Sequence, residues 1–284
     1  MQYTIKNENI SVTADAFGAE LISVKHNGKE WVWQNTNGAW GRHGPLLFPV
    51  CGHCGVMVNG VAYPIKSHGF ASRMEFSLVE KTETSVKFAL EANAETKKVY
   101  PYDFRFTVTY ALAGNTLSIG FDMENLADTP LYFACGGHES FNVDSGDLSN
   151  YELRFEKTEK LVSLIHNNGG YLTGETVDFG ETDTLVLPDD FMQEGKTLIF
   201  KEVNSRKVTL AKKDGEAVLD VTFDGFCNLL LWRASNSPYV CIEPWTNLPD
   251  EADVPDIEYS QKFGVMKVEG KGKKSLVRTL TYHG

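Results

Sequence analysis

The sequence lacks an excess of positive charge and lacks any long apolar run. Its 27 Lys and Arg residues are outnumbered by 38 Asp and Glu residues, which gives a formal net charge of -11. The basic run Lys-Gly-Lys-Lys at 271–274 does not offset this charge. Nucleic acids and anionic membrane surfaces attract basic patches, and a membrane-spanning helix needs about 20 successive apolar residues. We therefore expect neither a nucleic acid nor a membrane as a partner.

Cysteine is scarce, and the chain's five cysteines are an odd number that cannot all form disulfides within it. The amino end also lacks the apolar segment of a secretory signal peptide. Free thiols are typical of a reducing compartment, so we expect a cytoplasmic protein. Cys51 and Cys54 have the spacing of metal ligands, but a structural zinc site needs four ligands, usually from two such pairs. We therefore expect no structural zinc site at these cysteines and expect that the protein needs no metal.

Several catalytic motifs are missing as well. The sequence contains no Walker A or Rossmann glycine pattern, so nothing indicates a nucleotide-binding loop. It contains no G-x-S-x-G segment, the turn that presents the nucleophile of α/β-hydrolases. Redox chemistry at Cys51 and Cys54 is disfavoured, because these residues lie in a hairpin pattern rather than a βαβ pattern.

The sequence is rich in apolar–polar alternation broken by tight turns. Residues 104–112 and 117–124 alternate on either side of Gly114-Asn115, which is a strong β-hairpin signal. Similar runs flank Asn27-Gly28, at 21–24 and 31–33, and Asn59-Gly60. Further strands are predicted at 76–79, 86–90, 131–133, 208–210, 219–223, 229–232 and 276–280.

Helical signals are weak. Only 94–100 and 190–194 predict a turn or two of helix, and no stretch keeps an amphipathic period of 3.6 residues over three turns. Many short strands at hairpin spacing predict an all-β sandwich or barrel. No linker, composition break or repeat is visible, so we predict one domain over 1–284. Residues 151–187 are rich in Glu, Thr, Asn and Gly and are predicted to be mostly loops.

Glu243 is an isolated carboxylate inside an apolar strand. The segment Val-Cys-Ile-Glu-Pro-Trp at 240–245 is typical of a buried strand, and the proline interrupts its regular pairing. Burial raises the pKa of a carboxyl group, and a group tuned in this way suits general acid–base catalysis. The alternative is a structural glutamate that caps the strand or pairs with an arginine.

Two histidines lie beside glycines at predicted strand ends. His138 follows two glycines, which allow the backbone to bend and leave the ring accessible to a ligand. His68 precedes a glycine in a similar setting. The alternative for each is a surface residue or a hydrogen-bonded structural histidine. Together with Glu243, these histidines form a candidate site.

Four segments resemble the aldose 1-epimerase (mutarotase) family. Gly-Gly-His-Glu-Ser-Phe-Asn at 136–142 is similar to the family's G-x-H-x-Y-F-N segment, and His-Gly-Phe-Ala at 68–71 is similar to H-G-F-A. Ile-Glu-Pro-Trp at 242–245 resembles its I-E-P-W strand end. Pro-Leu-Leu-Phe-Pro at 45–49 resembles the P-x-L-F-P stretch of the short bacterial LacX-like branch. The resemblance implies one large antiparallel β-supersandwich with little helix and no cofactor.

The resemblance also implies an activity and the residues that perform it. Glu243 matches the general base that takes the proton from the anomeric O1 hydroxyl, and His138 matches the general acid that protonates the ring O5. Ring opening, rotation about C1–C2 and reclosure then interconvert the α and β anomers of an aldose sugar. His68 matches a histidine that hydrogen-bonds the sugar. Trp40 and Trp245 are candidates for contact with the sugar's apolar face.

The chain departs from the family pattern at its arginines. Longer galactose mutarotases have a Gly-Arg pair where this chain has Gly52-His53. Arg42 resembles the arginine of an R-x-G-x-P segment in the hexose-phosphate branch. Arg73 is displaced by one position relative to H-G-F-A-R, and one position on an extended strand reverses the face, which weakens it as a ligand. The family's substrate-binding aspartate has no clear counterpart, although Asp189 and Asp190 lie in the matching region.

We therefore expect a mutarotase-like isomerase that acts on an aldose. One alternative is a hexose-6-phosphate mutarotase that uses Arg42 for the phosphate, with Arg73 as a second candidate. Another is a non-catalytic sugar-binding protein on the same fold. The presence of both Glu243 and His138 favours catalysis, while the substituted arginine favours altered specificity or lost activity.

Overall fold

The computed structural model describes residues 1–144, 146–193, 195–235 and 237–283. Strand accounts for 52% of it and helix for 6%, which confirms the predicted all-β class. The strands are β1 (Gln2–Lys6), β2 (Ile10–Asp15), β3 (Glu20–His26), β4 (Lys29–Glu30), β5 (Leu46–Leu47), β6 (Val56–Val58), β7 (Val61–Tyr63), β8 (Ser77–Lys81), β9 (Ser85–Glu91), β10 (Phe104–Ala113), β11 (Thr116–Asn125), β12 (Leu131–Phe133), β13 (Gly136–Gly137), β14 (Ser140–Asn142), β15 (Tyr151–His166), β16 (Leu172–Val186), β17 (Leu198–Phe200), β18 (Lys207–Lys212), β19 (Ala217–Thr222), β20 (Asn228–Trp232), β21 (Tyr239–Trp245), β22 (Met266–Val268) and β23 (Lys273–Tyr282).

Two short α-helices interrupt the strands of the described ranges, α1 (Ala94–Lys97) and α2 (Asp189–Gln193). They fall where helical turns are predicted, although Glu194, the last residue of the second prediction, lies outside the described residues. Asn93 caps α1 by accepting backbone hydrogen bonds from its first turn. No helix in the described part of the chain is long and apolar enough to cross a membrane.

One antiparallel sheet of 15 strands organises the chain. Its order is β5-β13-β21-β20-β17-β15-β18-β19-β23-β11-β10-β9-β8, with β14 paired to β21 and β16 paired to β15. Strands β1 to β4 form a separate sheet of four. Buried side chains join in a hydrophobic cluster that extends from Ile5 near the amino end to Tyr282 near the carboxyl end. The continuity of this cluster supports a single domain, which stays a prediction.

Most of the alternating segments form the predicted hairpins. β10 and β11 pair along their whole length, and alternate positions of both strands are buried. β6 and β7 form the hairpin at Asn59-Gly60, where both turn residues have positive φ. The hairpin at Asn27-Gly28 is shorter than predicted, because residues 31–33 leave it to pair with β14, where Val32 bridges Phe141.

The prediction of loops at 151–187 is wrong. β15 and β16, the longest strands in the described ranges, occupy most of this segment and pair with each other. Most residues of β16 are exposed or half-buried, so its polar side chains face solvent. Composition does not separate such an exposed edge strand from a loop, because water surrounds both.

The candidate site is positioned by β21, which is buried along its whole length. β20 pairs with one side of β21, and β13 and β14 pair with the other. The antiparallel register joins Gly136 to Trp245 and Ser140 to Cys241. The same register sets His138 opposite Glu243, so pairing between distant segments creates the contact between them.

Candidate active site

Every residue predicted for the sugar site lines one cavity of about 590 Å³. The wall of this cavity consists of Trp40, Arg42, Pro45, Leu47, His68, Ser72, Arg73, His138, Thr197, Trp232, Glu243 and Trp245. A larger cavity of about 720 Å³ has different walls and contains Lys262, whose ammonium group already pairs with Asp250 and Asp256. The smaller cavity is therefore the candidate site because of its acid–base groups and not because of its size.

Glu243 is the most buried ionisable group of the cavity, with 1% of its surface exposed. Its Oε2 lies 3.4 Å from His138 Nε2. This oxygen has no hydrogen-bond partner among the described residues. Burial raises the pKa of Glu243 well above its ordinary range, and the nearby Glu139 carboxylate raises it further. The protonated form of Glu243 is therefore favoured in the free cavity.

Aromatic rings enclose the imidazole of His138. The ring stacks on Trp40 with a centroid distance of 5.0 Å, and the edge of Trp232 meets it at 5.5 Å. Burial lowers the pKa of His138 to about 3, and the neighbouring His68 contributes to this shift. The free cavity therefore holds a neutral His138 at pH 7.

His68 is held with its proton on a defined nitrogen. It adopts a left-handed backbone conformation with φ of 62°, and its Nδ1 accepts a hydrogen bond of 3.1 Å from the Gly52 backbone N–H. Burial lowers the pKa of His68 to about 4, so the ring is neutral at pH 7. Because Nδ1 is the acceptor, Nε2 carries the proton of the neutral ring. The ring lies 5.8 Å from that of His138 and 5.4 Å from that of Trp245.

The two arginines are held at the cavity wall by backbone carbonyls. Arg42 donates to the Ser72 carbonyl at 2.7 Å and lies 3.3 Å from the Glu20 carboxylate. Arg73 ends a 3-10 turn at Ala71–Arg73 and donates to the Gly69 carbonyl at 2.7 Å. Among the described residues, no carboxylate lies within ion-pair distance of Arg73. The expected reversal of its face is wrong, because 71–73 form a turn instead of an extended strand.

Positions considered as substitutes for missing family residues make other contacts. The ring of His53 packs against Tyr171 with a centroid distance of 5.0 Å. Asp189 pairs at 2.7 Å with the buried guanidinium of Arg233, and Asp190 follows it in α2. None of these belongs to the cavity wall. The cavity therefore uses Arg42 and Arg73 as its cationic groups.

An ion pair beneath the site carries almost no sequence signal. Glu139 and Arg278 are fully buried, and both guanidinium Nη atoms of Arg278 donate to the Glu139 carboxylate. The guanidinium lies so close to the backbone of Gly137 that a side chain there would collide with it. Glu139 directly follows His138, but its partner comes from β23, and no local pattern joins segments so far apart. Ser72, Thr197 and Trp232 of the wall likewise carry no sequence signal.

The arrangement suits proton transfer to and from a small polar molecule. Glu243 and His138 lie close enough to serve two oxygen atoms of one bound molecule, one as proton acceptor and the other as donor. The Nε2–H group of His68 and the two guanidinium groups supply further hydrogen-bond donors. Such a set of donors matches a molecule with several hydroxyl groups.

The fold and the cavity together define an all-β protein with a carboxyl–imidazole pair enclosed by aromatic rings. The chain belongs to the aldose 1-epimerase family, whose model matches residues 1–256. It is 30% identical over 266 residues to the chromosomal LacX protein of Lactococcus lactis subsp. lactis, covering 87% of this chain and 88% of that protein.

Solved structures share the whole fold. A galactose mutarotase related enzyme from Lactobacillus acidophilus superposes with a TM-score of 0.89 at 29% identity, covering 100% of this chain and 98% of that one. A galactose mutarotase-like protein from Lactobacillus casei ATCC 334 superposes with a TM-score of 0.91 at 27% identity, covering both chains completely. These similarities confirm the family resemblance and the galactose mutarotase-like fold.

Proposed function

We propose that this protein is an aldose 1-epimerase that interconverts the α and β anomers of an aldose. Membership of the family supports an isomerase of this type. The observation that carries the proposal is the contact of 3.4 Å between Glu243 and His138 inside the cavity. The O1 and O5 atoms of a cyclic aldose are bonded to the same carbon, so two neighbouring acid–base groups can serve both.

In the proposed mechanism, Glu243 takes the proton from the O1 hydroxyl while His138 protonates O5. The C1–O5 bond breaks, rotation about C1–C2 exposes the other face of the aldehyde, and reclosure reverses both proton transfers. Before the reaction, Glu243 is ionised and His138 is protonated, so the pair holds one proton in total. Burial favours that proton on Glu243 in the free cavity, so sugar binding has to move the proton within the pair and need not take one from solvent.

The remaining wall residues are proposed to hold the sugar. His68 presents its Nε2–H group as a donor to a hydroxyl, since its Nδ1 is already bound to Gly52. Trp40 stacks on both His138 and Tyr239, and Trp245 is only 4% exposed. We therefore assign the two tryptophans to the side walls of the sugar site instead of an open stacking platform.

The test is anomer exchange measured by NMR on a panel of free and phosphorylated aldoses. The proposal predicts an exchange rate above that of buffer for at least one free aldose, and the same panel identifies the preferred sugar. Binding of a sugar without accelerated exchange would instead indicate a non-catalytic sugar-binding protein, for which neither member of the acid–base pair is required.

A second candidate function is mutarotation of a phosphorylated aldose. The observation that favours it is the guanidinium of Arg73, which lines the cavity without a carboxylate partner among the described residues. A sugar phosphate would provide that partner through charge-assisted hydrogen bonds. In this case glucose 6-phosphate has a higher kcat/KM than glucose, and the margin shrinks with added salt because charged contacts are screened. Substitution Arg73→Gln would remove most of the margin.

The proposed partner is a small sugar, and the proposed location is the cytoplasm. All five cysteines are free thiols in the structure, which supports a reducing compartment. Fractionation of cells with an antibody against the chain tests this location directly.

A further inference from the structure

A third ligating side chain lies beside Glu243 and His138. Cys241 precedes Glu243 by two positions on β21, and side chains alternate along a strand, so both face the same side of the sheet. Cys241 is fully buried beneath the cavity. One potential ligand atom from each of Cys241, His138 and Glu243 lies within 4.8 Å of the other two. Within the described ranges, no other set of three such residues is grouped so closely.

The spacing of these atoms fits a tetrahedral zinc ion. Zn–N and Zn–O bonds of about 2.0–2.2 Å at the tetrahedral angle separate the two donor atoms by about 3.4 Å. His138 Nε2 and Glu243 Oε2 are 3.4 Å apart. A Zn–S bond is longer, about 2.3 Å, which separates the sulfur from each of the other donor atoms by about 3.6 Å, and the three atoms lie within 4.8 Å of one another. His138 Nε2 and Glu243 Oε2 therefore need no rearrangement to share one ion.

The donor set selects the class of metal. A thiolate, an imidazole and a carboxylate are ligands that Zn²⁺ accepts together, whereas Mg²⁺ and Ca²⁺ prefer oxygen ligands. Because His138 and Glu243 both line the cavity, an ion can reach them from it and would lie where a sugar is proposed to bind.

A second observation also indicates a cation at this place. Glu243 Oε2 is buried and has no hydrogen-bond partner among the described residues. Buried polar atoms of native proteins nearly always have a partner. We propose that His138, Cys241 and Glu243 form a reversible zinc-binding site, and that a bound Zn²⁺ ion inhibits anomer exchange.

Inhibition follows from the ligands themselves. Zinc occupies the lone pairs that His138 and Glu243 need for proton transfer, and it displaces the sugar from the same space. The thiol and the carboxyl group release their protons to solvent as the ion binds, and no redox change is involved. The inhibition rests on the proposed function, whereas the metal site itself does not.

The first experiment measures binding without any assay of turnover. Full-length protein is treated with a chelator, exchanged into metal-free buffer and titrated with Co²⁺ as a spectroscopic substitute for zinc. We expect a thiolate-to-cobalt charge-transfer band that saturates at one equivalent and disappears when Zn²⁺ is added. Cys241→Ser should abolish the band, and Cys241→Ala serves if the serine variant folds poorly. Cys135→Ser is the matched control, because Cys135 is equally buried but lies outside the group.

The second experiment measures anomer exchange with and without Zn²⁺, with each variant compared to its own rate in chelator. Zinc should inhibit the wild type and the Cys135→Ser variant equally. Loss of the Cys241 ligand should weaken inhibition by more than the 10–100-fold that loss of an outer-shell partner costs in affinity. Absence of the cobalt band, its retention in both Cys241 variants, or activation by zinc would each overturn the proposal. A cobalt band in a protein without anomer exchange would leave the metal site standing and refute the proposed function instead.

Discussion

The substitution Glu243→Gln removes a proton acceptor while nearly preserving the volume of the side chain. If Glu243 is the general base, turnover falls roughly 100-fold or more, because a positioned acid–base group contributes about 10²–10⁴. Sugar affinity changes far less, since the amide still forms hydrogen bonds to a hydroxyl. The loss is therefore expected in kcat and only weakly in sugar binding.

Stability is expected to hold or to rise slightly in the same variant. The unpartnered oxygen of Glu243 is buried, and the Glu139 carboxylate disfavours its charge, so loss of the ionisable group relieves a cost. The folded pKa of Glu243 is raised above its ordinary value of 4.5, so the folded wild type binds a proton that the unfolded chain has released. Wild-type stability therefore falls as pH rises from 4.5 towards the folded pKa. The advantage of the Gln variant should grow over that range and stay constant above it.

Three measurements on the same preparations separate a catalytic from a structural Glu243: melting temperature across pH, sugar binding, and anomer exchange by NMR. Glu80→Gln is a matched control, because Glu80 is exposed on edge strand β8. A structural glutamate predicts the opposite pattern, a lower melting temperature with normal turnover in the folded fraction. A stable Glu243→Gln variant with near-normal exchange would refute the reasoning.

Three further predictions concern neighbours of Glu243. His138→Asn should show the same loss of turnover. The double variant with Glu243→Gln should be little slower than either single variant, because the effects of residues that act as a unit are not additive. A double variant whose loss in the exchange assay equals the product of the two single losses would contradict this. Glu139→Gln and Arg278→Met should each cost about 3–5 kcal/mol of unfolding free energy by leaving a buried charge unpaired. The double substitution should cost less, and denaturation curves that show summed costs would refute this. As pH falls from 6.5 to 4, the His68→Gln variant should lose less stability than the wild type. Burial lowers the pKa of His68 from 6.5 to about 4, so over this range the unfolded wild type binds a proton that the folded state does not. Melting temperatures that fall equally with pH in both proteins would refute this.

The hairpin of β10 and β11 was predictable because one face of each strand is buried. β10 and β11 bury alternate residues, so their sequence alternates between apolar and polar positions. β16 exposes most of its length, and its sequence therefore lacks the apolar face on which such a prediction depends. The same physical difference explains why the fold class was predictable while the longest hairpin of the described chain was not.

The sequence singled out Glu243 and His138 as candidate acid–base residues of one site, but it did not predict how closely they approach. An isolated carboxylate in an apolar strand distinguishes Glu243, and two preceding glycines distinguish His138. Their approach to 3.4 Å depends on the pairing of β13 and β14 with β21, and such a long-range register is not encoded in either segment alone. The partnership of Glu139 with Arg278 depends in the same way on where β23 lies.

Arg73 illustrates how local geometry sets the charge of the cavity. A displacement by one residue reverses the face on a strand, but successive residues of a 3-10 turn are rotated by only about 120°. The bond from Arg73 to the Gly69 carbonyl fixes the guanidinium at the wall, while the Ser72 carbonyl of the same turn holds Arg42. Ser72, the residue that displaces Arg73 by one position, is therefore part of the turn that keeps both guanidinium groups at the cavity. Burial suppresses the negative charge of Glu243 in the same space, so Arg42 and Arg73 are the charged groups that a sugar would meet at the wall. The salt dependence of the sugar preference is the measurement that decides between a free and a phosphorylated substrate.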